Sequence, residues 1–118
     1  MILNHMNLTV TDVTAAKTFL ERYFEMRTHE GDRDNKNFVV MFDAKGFVLT
    51  LMKASHNTEV KYPSYFHIGF GQESEEHVNQ INQGLKEEGF DVQPPERHHA
   101  WTFYVDAPGG FRVEVMSS

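Results

Sequence analysis

The chain has 118 residues, 40% hydrophobic and 13% aromatic, with a formal net charge of −6 and no cysteine. That length suits one domain burying roughly two-thirds of its unfolded surface. The acidic balance, with no dense Lys/Arg cluster, argues against nucleic acid as a partner; the missing thiols exclude disulfides, thiolate metal sites and a cysteine nucleophile.

The opening "MILNHMNLTV" has neither a basic leader nor a long apolar run, so it reads as neither signal peptide nor membrane anchor, and the default compartment is the cytoplasm. Residues 2–10 alternate as a strand. Residues 11–24 form a helix capped by Thr11 or Asp12, with Ala16, Phe19, Leu20, Tyr23 and Phe24 on one stripe. Strand candidates follow at 26–31, 37–44 and 46–54, the last two joined as a hairpin by Asp43–Gly46. Residues 55–64, polar and containing a proline, are a connection.

"YFHIGFG" (65–71) begins a second round as a strand. A helix over 74–89 has Ser74 as cap, Glu75 and Glu76 in its first turn, Gly89 as stop, and Val78, Ile81 and Leu85 as its buried stripe. Strands at 90–93, 100–107 and 111–116 complete the chain, with "PPERHH" as a polar loop between the first two. The order βαβββ therefore occurs twice, with a period of about 60 residues. Module 1 covers about 1–54 and module 2 about 65–118, joined by the linker 55–64 into one domain. The repeat has a register: His5 precedes Asp12 by seven residues, and His67 precedes Ser74 by seven.

Strand alternation says which side chains share a face. Met6, Leu8 and Val10 oppose His5, Asn7 and Thr9; Phe66, Ile68 and Phe70 oppose Tyr65, His67 and Gly69. Likewise Leu49 and Leu51 oppose Thr50, Trp101, Phe103 and Val105 oppose Thr102 and Tyr104, and Val113 and Val115 oppose Arg112 and Glu114. Each strand has one apolar face for packing under the helices. The other faces collect two imidazoles and a carboxylate. Brought together, His5, His67 and Glu114 would bind a divalent first-row metal and leave positions open. A lone mid-strand histidine or a lone strand glutamate is ordinarily a solvated surface residue; the coincidence of three on the non-core faces, two at matching repeat positions, favours the metal. His29, His56 and His77 fall in turns, a connection and a first helical turn, where solvent exposure is the expectation. His98 and His99 precede a site-lining strand and could carry protons, though loop histidines are usually exposed. Arg112 could hold an anionic substrate group or pair with a surface acid.

"NHMNLTV", "YFHIGFG" and "FYVDAPGGFRVEV" resemble the signature strands of the vicinal oxygen chelate superfamily, which includes glyoxalase I, extradiol dioxygenases, methylmalonyl-CoA epimerase, fosfomycin-resistance enzymes and bleomycin-resistance proteins. The resemblance spans both modules. It implies an α+β fold of two βαβββ modules, forming a cupped eight-stranded mixed sheet with helices outside. Its metal ligands map onto His5, His67 and Glu114, and it implies a homodimer in which one chain gives His5 and the other His67 with Glu114. The further acid or amide that glyoxalase I and the epimerase carry on the fourth strand is here Thr50, which removes glutamate-based proton abstraction there. The usual turn before the last strand has become Ala107-Pro-Gly-Gly110. Tyr104 fits the tyrosine of the fosfomycin thiol-transferases, but their phosphonate-binding lysine and serine would fall on Pro94 and His98. Extradiol dioxygenases are usually longer, and His98, His99 and Tyr104 match their catalytic groups loosely.

Two functions follow. One is a glyoxalase-like lyase or isomerase in which Ni, Zn, Mn, Fe or Co acts as a Lewis acid on a small oxygenated substrate. There Asn7, Thr50, His98, Tyr104 and Arg112 would surround the substrate. The other is a bleomycin-resistance-like protein that sequesters a small molecule without turnover. Neither involves a membrane.

Overall fold

In the computed structural model, which describes residues 1–118, the chain runs β1 (His5–Val10), α1 (Val13–Phe24), β2 (Arg27–Thr28) and a 3₁₀ turn (Glu30–Asp32). It continues through β3 (Phe38–Phe42), β4 (Val48–Lys53) and β5 (Ile68–Gly71) to α2 (Glu75–Glu87), β6 (Glu96–Arg97), β7 (Trp101–Ala107) and β8 (Phe111–Ser117). This is the doubled βαβββ order the repeat predicts. The eight strands form two mixed four-stranded sheets, ordered β1-β4-β3-β2 and β5-β8-β7-β6.

The chain divides into two compact units, residues 1–62 with 108–110, and residues 63–107 with 111–118. In the first unit β1 runs parallel to β4, and β3 runs antiparallel to both β4 and β2. Helix α1 begins where extended Asp12 accepts the Ala15 N–H at 3.0 Å. Its end is set by Glu25 in the left-handed region, φ 56°, after which the Met26 N–H returns to the Leu20 carbonyl. Val13, Ala16, Phe19 and Leu20 are its buried face, packed on β3 and β4, while Tyr23 and Phe24 of the expected stripe are only half-buried. Beneath lie Leu8, Val10, Val39, Met41 and Leu51, each at 1% exposure or less; burying each such side chain contributes about 1.5–3 kcal/mol.

The glycine-rich turn 108–110 belongs to this unit. Gly109 has φ +107°, and a Cβ there would stand 3.2 Å from Val10 Cβ and 3.3 Å from Ala16 Cβ. Its carbonyl accepts the Thr11 N–H at 3.0 Å, satisfying a donor just before the α1 cap. The departure to Pro-Gly-Gly thus has a steric reason.

In the second unit β5 is parallel to β8, and β7 is antiparallel to β8 and β6. Ser74 caps α2 by accepting the His77 N–H at 3.1 Å, and Gly89 at φ +92° ends it. Helix α2 packs on β7 and β8 through Val78, Asn82 and Leu85; Ile81, expected in that stripe, is half-buried instead. Buried Asn82 donates its amide to the Gln93 carbonyl at 2.9 Å.

Three expected strands change, and the one at 26–31 keeps only Arg27–Thr28 because Glu30–Asp32 turns as 3₁₀. Strand β5 begins at Ile68, so His67 stands immediately before it, on residues shaped by the bond from Phe66 N–H to the Pro63 carbonyl. Residues 90–93 are not a strand: the Phe90 N–H is taken by the Leu85 carbonyl and the Gln93 carbonyl by Asn82. The edge strand forms at Glu96–Arg97, just past two prolines that lack an N–H for a ladder. No helix is long and apolar enough to cross a membrane.

Candidate functional site

The site grows from one row across the second sheet. Register places Gly69, Glu114 and Tyr104 side by side on β5, β8 and β7. Alternation turns their side-chain positions away from Val105, Val113 and Val115 of the core. Glycine leaves no side chain over one flank of Glu114. Although it belongs to the non-core row, Glu114 is only 4% exposed. A carboxylate so enclosed needs partners.

It has them. Glu114 Oε2 accepts the Thr102 hydroxyl at 2.6 Å and the His99 Nε2–H at 2.7 Å. Its other oxygen, Oε1, faces His67 Nε2 at 3.3 Å. Burial works against the charge on Glu114. The bonds from Thr102 and His99, the electrostatic pull of His99 and a bond from Tyr104 outweigh burial and hold the carboxyl below its ordinary 4.5. Burial first, then the charge of Glu114 and the bond to it, raise the Tyr104 phenol above 10.0, with Arg112 pulling partly back. At neutral pH the site therefore holds a carboxylate beside a protonated phenol.

His67 is oriented from behind. Its Nδ1 is 2.9 Å from the Tyr65 carbonyl, which can only accept, so Nδ1 carries the hydrogen. In the neutral ring Nε2 then presents a lone pair to Glu114 Oε1. Two lone pairs facing each other repel unless a proton or a cation lies between them. Donors bonded at about 2.1 Å to one ion, with angles of about 90–110°, stand about 3.0–3.4 Å apart. The 3.3 Å spacing and the donor chemistry both fit a divalent cation. The Tyr104 ring meets His67 edge-on, 5.4 Å between centroids at 86°, and restrains it from the side.

His5 opens β1 in the first unit and has the same preparation: its Nδ1 is 2.7 Å from the Asn4 side-chain oxygen, leaving Nε2 free to coordinate. Asn7 and Thr50 are cross-strand partners in that unit, and Asn7 donates to Met52 Sδ at 3.8 Å. Arg112 is drawn to Asp106 at 3.1 Å and remains half-exposed. His98 turns to Glu96 at 3.0 Å, away from Glu114. The structure thus brings together His67, Glu114 and Tyr104, and adds Thr102 and His99. Nowhere do three or more histidine or acidic side chains already form a metal cluster. The His99 contact was beyond strand periodicity because His99 lies in a loop, fifteen residues from its partner.

The chain belongs to the Glyoxalase/Bleomycin resistance protein/Dioxygenase superfamily, whose family model matches residues 2–115. A possible glyoxalase from Bacillus cereus is 56% identical, covering 98% of each chain with a TM-score of 0.89. The fold is shared more distantly with a mutant fosfomycin resistance protein, FosX, from Listeria monocytogenes, solved with Mn(II) and 1S,2S-dihydroxypropylphosphonic acid. That protein is 21% identical, covering 100% of this chain and 94% of its own, with a TM-score of 0.79. Lactoylglutathione lyase from Agrobacterium tumefaciens is 16% identical, covering 99% and 93%, with a TM-score of 0.76. No curated protein matches the chain significantly.

Proposed function

We propose that the protein is a glyoxalase-like metalloenzyme in which His67 and Glu114, with His5 as third donor, hold a divalent cation that serves a small oxygenated substrate. The reading rests on the facing pair His67 Nε2 and Glu114 Oε1, 3.3 Å apart, with the His67 Nδ1 turned to the Tyr65 carbonyl and the carboxylate kept ionised. Two imidazoles and a carboxylate suit Ni, Zn, Mn, Fe or Co. When bound, such an ion supplies Lewis-acid stabilisation of an oxyanion or enolate and open positions for two neighbouring substrate oxygens.

The chain's own groups have separable tasks. The Tyr104 hydroxyl, bonded to Glu114 and kept protonated, can donate to negative charge developing on the substrate. Arg112 is held by Asp106 through Nε and by the Ser64 carbonyl through Nη1 at 3.5 Å, so Nη2 is the nitrogen that can receive an anionic substituent. Asn7 and Thr50 are the polar groups the first module would contribute. Thr50 cannot act as a carboxylate base, so any proton moved from substrate leaves by another group. Both modules work as one domain in this reading. Two copies share sites, His5 from one and His67 with Glu114 from the other, in the cytoplasm.

The test is the metal content of protein purified without an affinity tag, with turnover of a methylglyoxal–thiol adduct, fosfomycin with a thiol, and catechols under oxygen. The expected result is about one divalent ion per chain, lost in His67→Ala and in Glu114→Ala, with turnover of one of these substrates. Stoichiometric binding of a flat aromatic drug by protein that takes up no metal would overturn it in favour of sequestration.

A further inference from the structure

Glu114 has more partners than a ligand needs. A carboxylate offers roughly four lone-pair positions, two on each oxygen. Oε2 takes two hydrogen bonds, from the Thr102 hydroxyl at 2.6 Å and from His99 Nε2 at 2.7 Å. Oε1, turned toward His67, carries neither of these two bonds. The two Oε2 donors come from different places. Thr102 is a buried residue of β7, 3% exposed, and travels with the sheet. His99 belongs to the loop before that strand, and its side chain is 55% exposed. With one donor on Oε2 the carboxylate is held less firmly against rotation about its terminal bond, the Tyr104 bond remaining. Two donors arriving on the same oxygen fix the plane.

We infer that His99 is a positioning residue: with Thr102 it holds Glu114 Oε2, so that Glu114 meets a cation through Oε1 alone, in one orientation. The inference rests on the metal reading above. It needs only the Nε2–H tautomer of a neutral imidazole. It also explains why a half-exposed loop histidine reaches 15 residues along the chain to a nearly buried acid. His99 is not placed as a ligand: its Nε2 is committed to the carboxylate, and His67, His99 and Glu114 do not form a metal-ready trio.

The experiment uses full-length, untagged, metal-free protein titrated with Co(II) against a competing chelator, following the cobalt d–d absorption. In His99→Ala the affinity should fall about 10- to 100-fold and the d–d bands should shift, as expected when a partner of a ligating carboxylate is removed. His99→Gln, whose amide N–H reaches the same place, should recover wild-type bands and affinity within about threefold. Far-UV circular dichroism establishes that each variant is folded, and Thr102→Val should move the bands in the same direction as His99→Ala. Unchanged affinity and bands in His99→Ala, with binding still lost in His67→Ala, would overturn the inference and leave the metal reading standing. Loss of one imidazole from the cobalt shell by X-ray absorption in His99→Ala, unrestored by His99→Gln, would overturn it in favour of direct ligation. A wild type that binds no Co(II) would overturn the metal reading itself, and this inference with it.

Discussion

Replacing Glu114 by glutamine separates a carboxylate kept for a cation from one kept for folding. The amide oxygen can stay on Thr102 and His99, and the new NH₂ then turns toward the His67 Nε2 lone pair 3.3 Å away. Bonds to a charged acceptor contribute about 1.5–3 kcal/mol and neutral ones about 0.5–1.5, so neutralising those from Thr102, His99 and Tyr104 costs about 3 kcal/mol. One new bond to His67 returns about 1 kcal/mol, and a neutral group no longer pays the desolvation of a charge at 4% exposure. The metal-free Glu114→Gln protein should therefore stay within about 1.5 kcal/mol of wild type. Glu114→Ala strands the buried Thr102 hydroxyl, at about 1–3 kcal/mol, and adds a cavity, so its loss should reach about 3 kcal/mol or more. Urea denaturation of the metal-free proteins at pH 8, above the ordinary imidazole value of about 6.5, measures both. Metal affinity should respond far more strongly: glutamine offers a neutral oxygen, and binding should weaken at least about 100-fold. A glutamine variant as unstable as the alanine variant would mean that the charge serves a structural ion pair, and the reasoning would fail.

Stability should also report the ionisation of Glu114. Its folded pKa is below 4.5, so its contribution is complete above that value and is lost as pH falls through the lower, folded one; metal-free Glu114→Gln should show a shallower fall of stability with pH there. Gly109→Ala should lower the melting temperature by an amount equivalent to at least about 2 kcal/mol, because it combines φ +107° with Cβ contacts of 3.2 and 3.3 Å. Gly84→Ala in α2 should do the opposite, raising stability by about 1 kcal/mol in urea, since a Cβ there meets nothing within 4 Å; a loss would mean that a neighbour absent from the monomer covers that face.

What could be read in the sequence was whatever two periodicities control. The strand faces carrying Leu8, Leu51, Phe103 and Val113 inward came from alternation alone, because one sheet face must be buried. The stretch 90–93 alternates equally well, yet its backbone groups are claimed by the end of α2 and by Asn82, partners that no local pattern reveals. Asn82 itself was missed because a polar residue on a buried stripe reads as an error until its acceptor is known. The ligand candidates His67 and Glu114 were legible, being strand-linked residues on the non-core face. The Oε2 partners were legible only in part: Thr102 lay on the right face, whereas the path of residues 98–100 depends on a turn closed by the His98 N–H to the Ala100 carbonyl.

The two modules differ along one row of each sheet. In the first unit His5 is followed two residues later by Asn7, which pairs with Thr50, itself paired on its other side with Val40. In the second, His67 is followed two residues later by Gly69, which pairs with Glu114, itself paired on its other side with Tyr104. Thr50 therefore occupies in one module the position that Glu114 occupies in the other. The scaffold repeats, and the acid does not. The difference extends along the row: where the first module carries the Asn7 side chain beside its central residue, the second has glycine, and where the first has Val40, the second has a phenol held above 10.0. A bare flank, an ionised centre and a protonated neighbour are what a cation and an oxygen-bearing ligand would need together. Only the second module supplies all three. The ionised centre and its protonated neighbour lie in one half of a duplicated fold, while His5 of the other half is oriented through Asn4.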